Sequence, residues 1–375
     1  MGCSMLNNEP AGNATPPRCP AKTTLPLVAI SILNWNGWQD TLGCLESVKR
    51  LNYPNFLTVV VDNGSWNGSV ERIRSWAQQN LGVGHVLAEY TCESALKGGD
   101  KQVEKALDAA ASGARMVLIC SHENLGFPGG NNVAIQYALR RSLSADYVFL
   151  LNNDAKPAHS CLRELVSVDQ HSQAGMVGAT ILAEQGGGVL FGGRAPMLRQ
   201  FFSPLVKWHL PAPKLHGDYW ESFFISGTAI LIRSDVLRAI CNTLGEYLRA
   251  ELFLYSEEIM LSSDVRKAGY RSVVAAKAHV WHKKAASSGG ARNPIVYYYP
   301  ERNQILTAKE LLPLHWRIPF HFISSIRHSG QILKALAHGR YGTSRAVVLG
   351  VVDGYRGVTG KWKYHDEEVR RYVHG

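Results

Sequence analysis

Several patterns are missing from this chain of 375 residues, and each absence removes a class of protein. No stretch approaches the roughly 18 uninterrupted apolar residues of a membrane-crossing helix, and the first residues are too polar for a secretory signal. The seven cysteines (Cys3, Cys19, Cys44, Cys92, Cys120, Cys161, Cys241) show no CxxC or Cys/His spacing. That pattern argues against structural zinc and for a reducing, cytoplasmic setting. No GxGxxG follows the first predicted strand and no GxxxxGK[ST] occurs anywhere, so neither a dinucleotide fingerprint nor a Walker A loop is present. A phosphate bound here must be held by other means, such as an acid that positions a divalent ion.

What is present is a chain with 46% hydrophobic residues and a formal charge of +10, which excludes a disordered or disulfide-stapled protein. Its length allows two or three folding units at roughly 150 residues each. Residues 1–24 are rich in Pro, Asn and Gly without hydrophobic periodicity and read as a flexible leader. A domain then begins at Leu27–Leu33, a short apolar run that reads as a buried strand. A helix bearing Trp38, Leu42, Leu45 and Val48 follows, then a strand at Phe56–Val61. The pattern repeats with a strand at Val117–Cys120, a helix over 130–141 and a strand at Tyr147–Leu151. This is an α/β pattern with a parallel sheet flanked by helices. Residues 92–115 read as an exposed insertion.

In open α/β sheets ligands bind beyond the carboxyl ends of the strands. Those ends carry Asn34-Trp35-Asn36-Gly37, Asp62-Asn63-Gly64-Ser65, Glu123-Asn124-Leu125-Gly126 through Asn132, and Asn152-Asn153-Asp154. Each offers amides or a carboxylate for a base, a ribose or a metal-bound phosphate, with glycines that admit close backbone approach. Singly each is an ordinary turn; together at one sheet edge they predict a site.

With these residues in view, the chain resembles a family-two glycosyltransferase of the GT-A fold, in its rhamnosyltransferase-like branch. The matching pieces are SILNWNGW, VVDNGSWNGS, NLGFPGGNN, FLLNNDA, FISGTAILIRSDVL, FLYSEEIMLSSDVRKAGY and VWHKKAASSG, in the family's order. The resemblance implies a mixed nucleotide-binding sheet over 25–290, with a donor half at 25–155 and an acceptor half at 156–290; residues 291–375 read by composition as a basic amphipathic helical region. It implies inverting transfer of a sugar from a nucleotide-sugar donor to a glycan or lipid-linked acceptor in polysaccharide, glycolipid or cell-wall synthesis, with Mn²⁺ or Mg²⁺ as cofactor. The branch favours dTDP-L-rhamnose, although Asp62 and its amides would read uracil and thymine alike.

Carried across position by position, Asp154 resembles the metal-meeting carboxylate of the Asp-x-Asp element, whose first acid is Asn152 here. Asp62 resembles the base-recognising acid, and Asn34, Asn36, Asn124, Gly126, Asn131 and Asn153 complete the expected donor set. Asn131 and Asn132 also suit a helix N-cap. Phe223–Ala229 reads as a strand whose Ser226-Gly227-Thr228 either leaves room for a sugar or packs closely on a helix. Glu258 matches the general base, with Glu257 as its rival, and the family's next acid is Met260 here. Inversion in one displacement needs such a carboxylate, whereas two acids at a helix start also complement the helix dipole. His282 stands where related enzymes bring a histidine to the metal or diphosphate, and the Ser/Gly-rich residues after it read as a lid.

Residues 301–375 carry 12 basic and 6 acidic side chains, and apolar residues interleave with the bases over 311–352. That composition suits a peripheral contact, through 301–360, with the inner face of the cytoplasmic membrane. Packing on the catalytic domain or on a second copy in a homo-oligomer is an equal reading, and no motif accompanies the charge to indicate nucleic acid. A nucleotidyltransferase and a catalytically silent nucleotide-sugar-binding scaffold are the rival functions.

Overall fold

The computed structural model describes residues 25–185, 188–192, 201, 217–283 and 293–363. The expected leader at 1–24 and the Ser/Gly-rich segment at 284–290 lie outside the described residues.

The first half runs β1 (Val28–Asn34), α1 (Trp38–Val48), β2 (Phe56–Asp62), α2 (Ser69–Asn80), β3 (Val86–Thr91), α3 (Cys92–Leu96), α4 (Lys101–Ala109), β4 (Arg115–Cys120), α5 (Gly126–Arg140) and β5 (Tyr147–Asn152). The second half runs β6 (Ala155–Pro157), α6 (Cys161–Ser172), β7 (Gly175–Ala183), β8 (Val189–Phe191), β9 (Tyr219–Glu221), β10 (Ala229–Arg233), α7 (Ser234–Leu244), α8 (Glu257–Lys267) and β11 (Arg271–His282). Three helices follow: α9 (Ile295–Leu311), α10 (Leu314–Ala337) and α11 (Tyr341–Arg356).

The described strands form one mixed sheet in the order β3-β4-β2-β1-β5-β10-β7-β11-β6, with β8 on β7 and β9 on β11. The β3 to β5 half is parallel, and β10 enters antiparallel between β5 and β7. Every residue of β2 is buried, and all but one of β1, because helices cover both faces. The apolar core accordingly lies in layers on the two sides of the sheet, with Ile30, Val60 and Phe149 on one and Ala29, Val148 and Ile232 on the other. Parallel register sets Asn34 beside Asp62, Leu33 beside Asn152 and Asp62 beside Cys120, so the polar strand ends meet at one edge.

Four expectations need correction. Residues 92–115 are not an exposed insertion: α3 and α4 pack on the sheet through Ala95, Leu107 and the buried Glu104. Glu104 accepts hydrogen bonds from the Tyr90 and Tyr137 hydroxyls at 3.0 and 2.7 Å and from Arg141 Nε at 2.8 Å. The edge strand β3 went unread because its exposure alternates and Glu89 faces outward. Helix α5 starts at Gly126 rather than 130, since Pro128 is tolerated in a first turn, and this places Asn131 and Asn132 inside the helix rather than at its cap. The strand expected at Phe223–Ala229 is instead Ala229–Arg233, and Phe223–Thr228 is an irregular approach with a turn at Gly227-Thr228.

Replacing Glu104 by Ala leaves the buried Arg141 with Asp108 as its one carboxylate partner among the described residues and removes the acceptor of the Tyr90 and Tyr137 hydroxyls. We expect a loss of about 3–5 kcal/mol in denaturant unfolding, against under about 1 kcal/mol for a solvated loop position.

Candidate functional site

A cavity of about 460 Å³ opens at the carboxyl edge of the sheet. Its lining includes Asn124, Gly126, Asn153, Asp154, Glu257, Glu258 and His282, which the sequence predicted from segments more than 100 residues apart. It also includes Asn152 and the Ser226-Gly227-Thr228 turn.

Asp154 follows β5 directly and its side chain is almost fully enclosed. The pairing of β11 with β6 sets His282 against Ala155, and this brings His282 Nε2 to 3.0 Å from Asp154 Oδ1. A carboxylate oxygen beside an imidazole nitrogen is a donor pair that would suit Mn²⁺, and the carboxylate oxygen alone would suit Mg²⁺. No group of three or more His, Cys, Asp or Glu able to hold a metal occurs among the described residues.

Across the cavity, Glu257 and Glu258 occupy the first turn of α8. The Oε2 atom of each is enclosed and has no hydrogen-bond partner among the described residues. Burial raises both carboxyls above the ordinary Glu range, and Glu257 is raised well above it because the neighbouring Glu258 charge adds to burial. Gly227 lies directly over Glu258: a Cβ on Gly227 would sit 3.7 Å from Glu258 Cβ, so larger side chains would crowd the carboxyl.

The turn before α8 is conformationally unusual, with Phe253, Tyr255 and Ser256 at φ of 62°, 66° and 69°. Asn303 of α9, fully buried, holds it: its Nδ2 lies 3.0, 2.8 and 2.8 Å from the carbonyl oxygens of Leu252, Leu254 and Tyr255. Arg302 Nη2 also donates to Leu252 O at 2.8 Å. On the other side, Phe253 O accepts from Phe127 N at 2.7 Å, and a Cβ on Gly126 would sit 2.3 Å from that oxygen. The glycine thus admits the close approach that joins the donor edge to the acid pair.

The remaining predicted residues are not on the cavity lining. Asn34 donates through Nδ2 to Asp62 Oδ2 at 2.7 Å, and Asp62 Oδ1 accepts from Ser65 N at 3.0 Å, so the two form a buried unit beneath the edge. Asn36 accepts from Trp66 N through its side-chain oxygen at 3.0 Å. Asn131 accepts from Ser31 Oγ at 2.9 Å inside the core. The predicted set omitted Trp35, Asn63 and Asn303. Trp35 lines the cavity with its indole N–H unpartnered, and Asn63 ties β2 to Asn124 and Gly126. The first two stood in the strand-end segments already singled out; Asn303 has no local signal, because its partners lie about 50 residues away.

The family described as Glycosyltransferase like family 2 matches residues 26–294, and the chain belongs to it. The mixed sheet flanked by helices is the GT-A arrangement that the sequence resemblance implied. A Haloferax volcanii hexosyltransferase of low-salt glycan biosynthesis, Agl10, is 22% identical over 263 residues, which is 64% of this chain and 79% of its own. The uncharacterized protein y4gI of Sinorhizobium fredii is 25% identical over 281 residues, covering 72% of this chain. The chain spans only 26% of the length of y4gI. Among solved structures, the mannosyltransferase PcManGT of Pyrobaculum calidifontis, in complex with GDP-Man and Mn²⁺, is 13% identical with a TM-score of 0.47, covering 89% of this chain and 88% of that one.

Two outcomes follow from this geometry. A carboxyl raised in the folded state binds its proton more tightly folded than unfolded, so its stabilising contribution is present below the ordinary Glu range and is lost as pH rises through the raised value. Glu257→Gln should therefore raise the melting temperature near about pH 8 and change it little near about pH 4, as read by thermal unfolding at both. Asn303→Leu removes the donor shared by three enclosed loop carbonyls and should cost about 2–3 kcal/mol in denaturant unfolding.

Proposed function

We propose that this family-2 glycosyltransferase moves a hexose from a nucleotide-sugar donor to an acceptor hydroxyl with inversion, using Glu258 as general base across the cavity from Asp154. The observation that carries the reading is that one cavity is lined both by the Asp154–His282 pair and by two adjacent acids, each with an enclosed oxygen that lacks a hydrogen-bond partner among the described residues. The hexosyltransferase relative Agl10 supports the class of sugar transferred.

Asn124, Gly126 and Asn153 face the donor, with Trp35 beside them. Asp62 and Asn34 stiffen the edge from beneath, so their contribution to base recognition is to hold Ser65 and the Asn36–Trp66 turn in place. Asp154 and His282 would hold the divalent cation, Mn²⁺ or Mg²⁺. When bound, that cation neutralises charge growing on the departing diphosphate. Glu258 takes the proton from the attacking acceptor hydroxyl as its oxygen bonds to the anomeric carbon and the bond to diphosphate breaks. Burial and the neighbouring Glu258 charge both raise the Glu257 carboxyl, which disfavours its ionised form beside Glu258. The Ser226-Gly227-Thr228 turn leaves room over Glu258 for the acceptor. The branch resemblance supports dTDP-L-rhamnose as donor, and the match to a glycan-assembly relative supports a glycan or lipid-linked acceptor.

Glu258→Gln should lower the transfer rate by about 10²–10⁴-fold while donor affinity is retained, since a glutamine fills the same space but accepts no proton. In the parent enzyme the rate should rise with pH through a value above the ordinary Glu range, as the raised Glu258 carboxyl must ionise to act. Unchanged turnover in the Gln variant would remove Glu258 from the reaction.

A further inference from the structure

Helix α10 presents large apolar side chains to solvent along its whole length. Leu314, Ile318, Phe322, Ile326 and Leu333 are 75%, 78%, 69%, 53% and 66% exposed, and Leu336 is 43% exposed. Their spacing of three, four and seven residues places them on one face of the helix. The opposite face is already used: Phe320, Ser324, His328 and Ala335 are buried against the body. Arg327 and His328 both pair with the buried Glu301 of α9, which fixes the rotation of the helix. The outward face is therefore apolar by construction and not a poorly packed core face. No described element covers this apolar ridge, which is longer than solvated surfaces ordinarily carry.

Charge identifies the occupant. From Leu311 to Val352 there are five Lys or Arg residues and no Asp or Glu. Lys334 and Arg340 are exposed at the C-terminal end of the ridge, and Tyr341, which opens α11, is 71% exposed beside them. A second copy packed through the same ridge would offer Lys334 and Arg340 no acidic partner from this stretch, since 311–352 holds no Asp or Glu. An anionic bilayer meets both features, apolar side chains in the acyl boundary and cations among the lipid headgroups. No described helix is long and apolar enough to cross a membrane, so the 24-residue α10 would lie in the membrane plane over about 36 Å.

We propose that the outward face of α10 docks this protein in the plane of an anionic lipid surface, with Leu314, Ile318, Phe322, Ile326 and Leu333 inserted at the headgroup boundary. Helix α9 connects this surface to the cavity, since Ile295 at its start lines the cavity and its last turn leads into α10. Docking therefore holds the catalytic cavity at a fixed distance from the bilayer. The proposal stands on the ridge and its charge, not on the assignment of Glu258.

The test is co-sedimentation of the full chain with vesicles of phosphatidylcholine alone and of phosphatidylcholine with about one-third phosphatidylglycerol. We expect binding to the anionic vesicles, at least about tenfold weaker binding to the neutral ones, and weakening by salt. Ile318→Glu with Phe322→Glu should cut anionic binding by at least about tenfold while melting temperature and nucleotide-sugar binding stay at parental values. Lys334→Glu with Arg340→Glu should remove the preference for anionic vesicles. Three results would overturn the proposal: no sedimentation with anionic vesicles, sedimentation that the Ile318/Phe322 variant leaves intact, or a parental dimer in light scattering that this variant turns into monomer.

Discussion

Parallel pairing of β1 with β2 on one side and β5 on the other is the constraint from which the site follows. In parallel register the strands end together, so whatever residues terminate them share one edge. Asn34, Asp62 and Asn152 do so here, and Asn153 and Asp154 extend from the last of them into the cavity. Apolar runs buried on both faces keep that register from slipping, because a shift would bury the terminal amides and expose part of the core. The antiparallel entry of β10 between β5 and β7 then carries the Ser226-Gly227-Thr228 turn to the same edge from the other half of the chain.

Opposite that edge the protein accepts unfavourable local terms. The Oε2 atoms of Glu257 and Glu258 are enclosed without a hydrogen-bond partner among the described residues, and the turn leading to them holds left-handed backbone at Phe253, Tyr255 and Ser256. Neither would persist alone. The carbonyl contacts from Asn303 and Arg302, and the approach of Phe253 to Phe127 across Gly126, over-determine the turn. The acid pair is thus aimed by α9 behind it and by α5 in front of it. The same α9 leads into the helix with the solvent-facing apolar ridge, so one element links acid pair and outer surface.

Much of this was legible in the sequence, for a physical reason. Strands buried on both faces must be apolar throughout, and the residues where they stop must be polar, so β1, β2, β4 and β5 and their ends stand out. Asp154 and His282 could be named although 128 residues apart, and the structure brings them to 3.0 Å. Edge strand β3, covered on one side only, gave no continuous run. Gly126 to Gly130 reads as a loop by composition, yet neighbouring packing makes it the start of α5. Least legible were Asn303 and Arg302, whose partners are backbone carbonyls; a carbonyl has no residue identity, so nothing in the sequence marks the pairing. The folded α3–α4 segment was hidden similarly, since the role of Glu104 depends on Tyr90, Tyr137 and Arg141 arriving from three other elements.

In the proposed reaction one cavity binds a nucleotide sugar through Asp154 and a divalent cation. Calorimetric titration of the parent and of Asp154→Ala with dTDP-rhamnose, UDP-glucose, UDP-galactose and GDP-mannose, each with and without Mn²⁺, tests it most directly. One of these sugars should bind the parent only when Mn²⁺ is present, and Asp154→Ala should lose this binding while remaining folded. Binding that is indifferent to Mn²⁺ and to Asp154, or none to any of the four from folded parent protein, would contradict it.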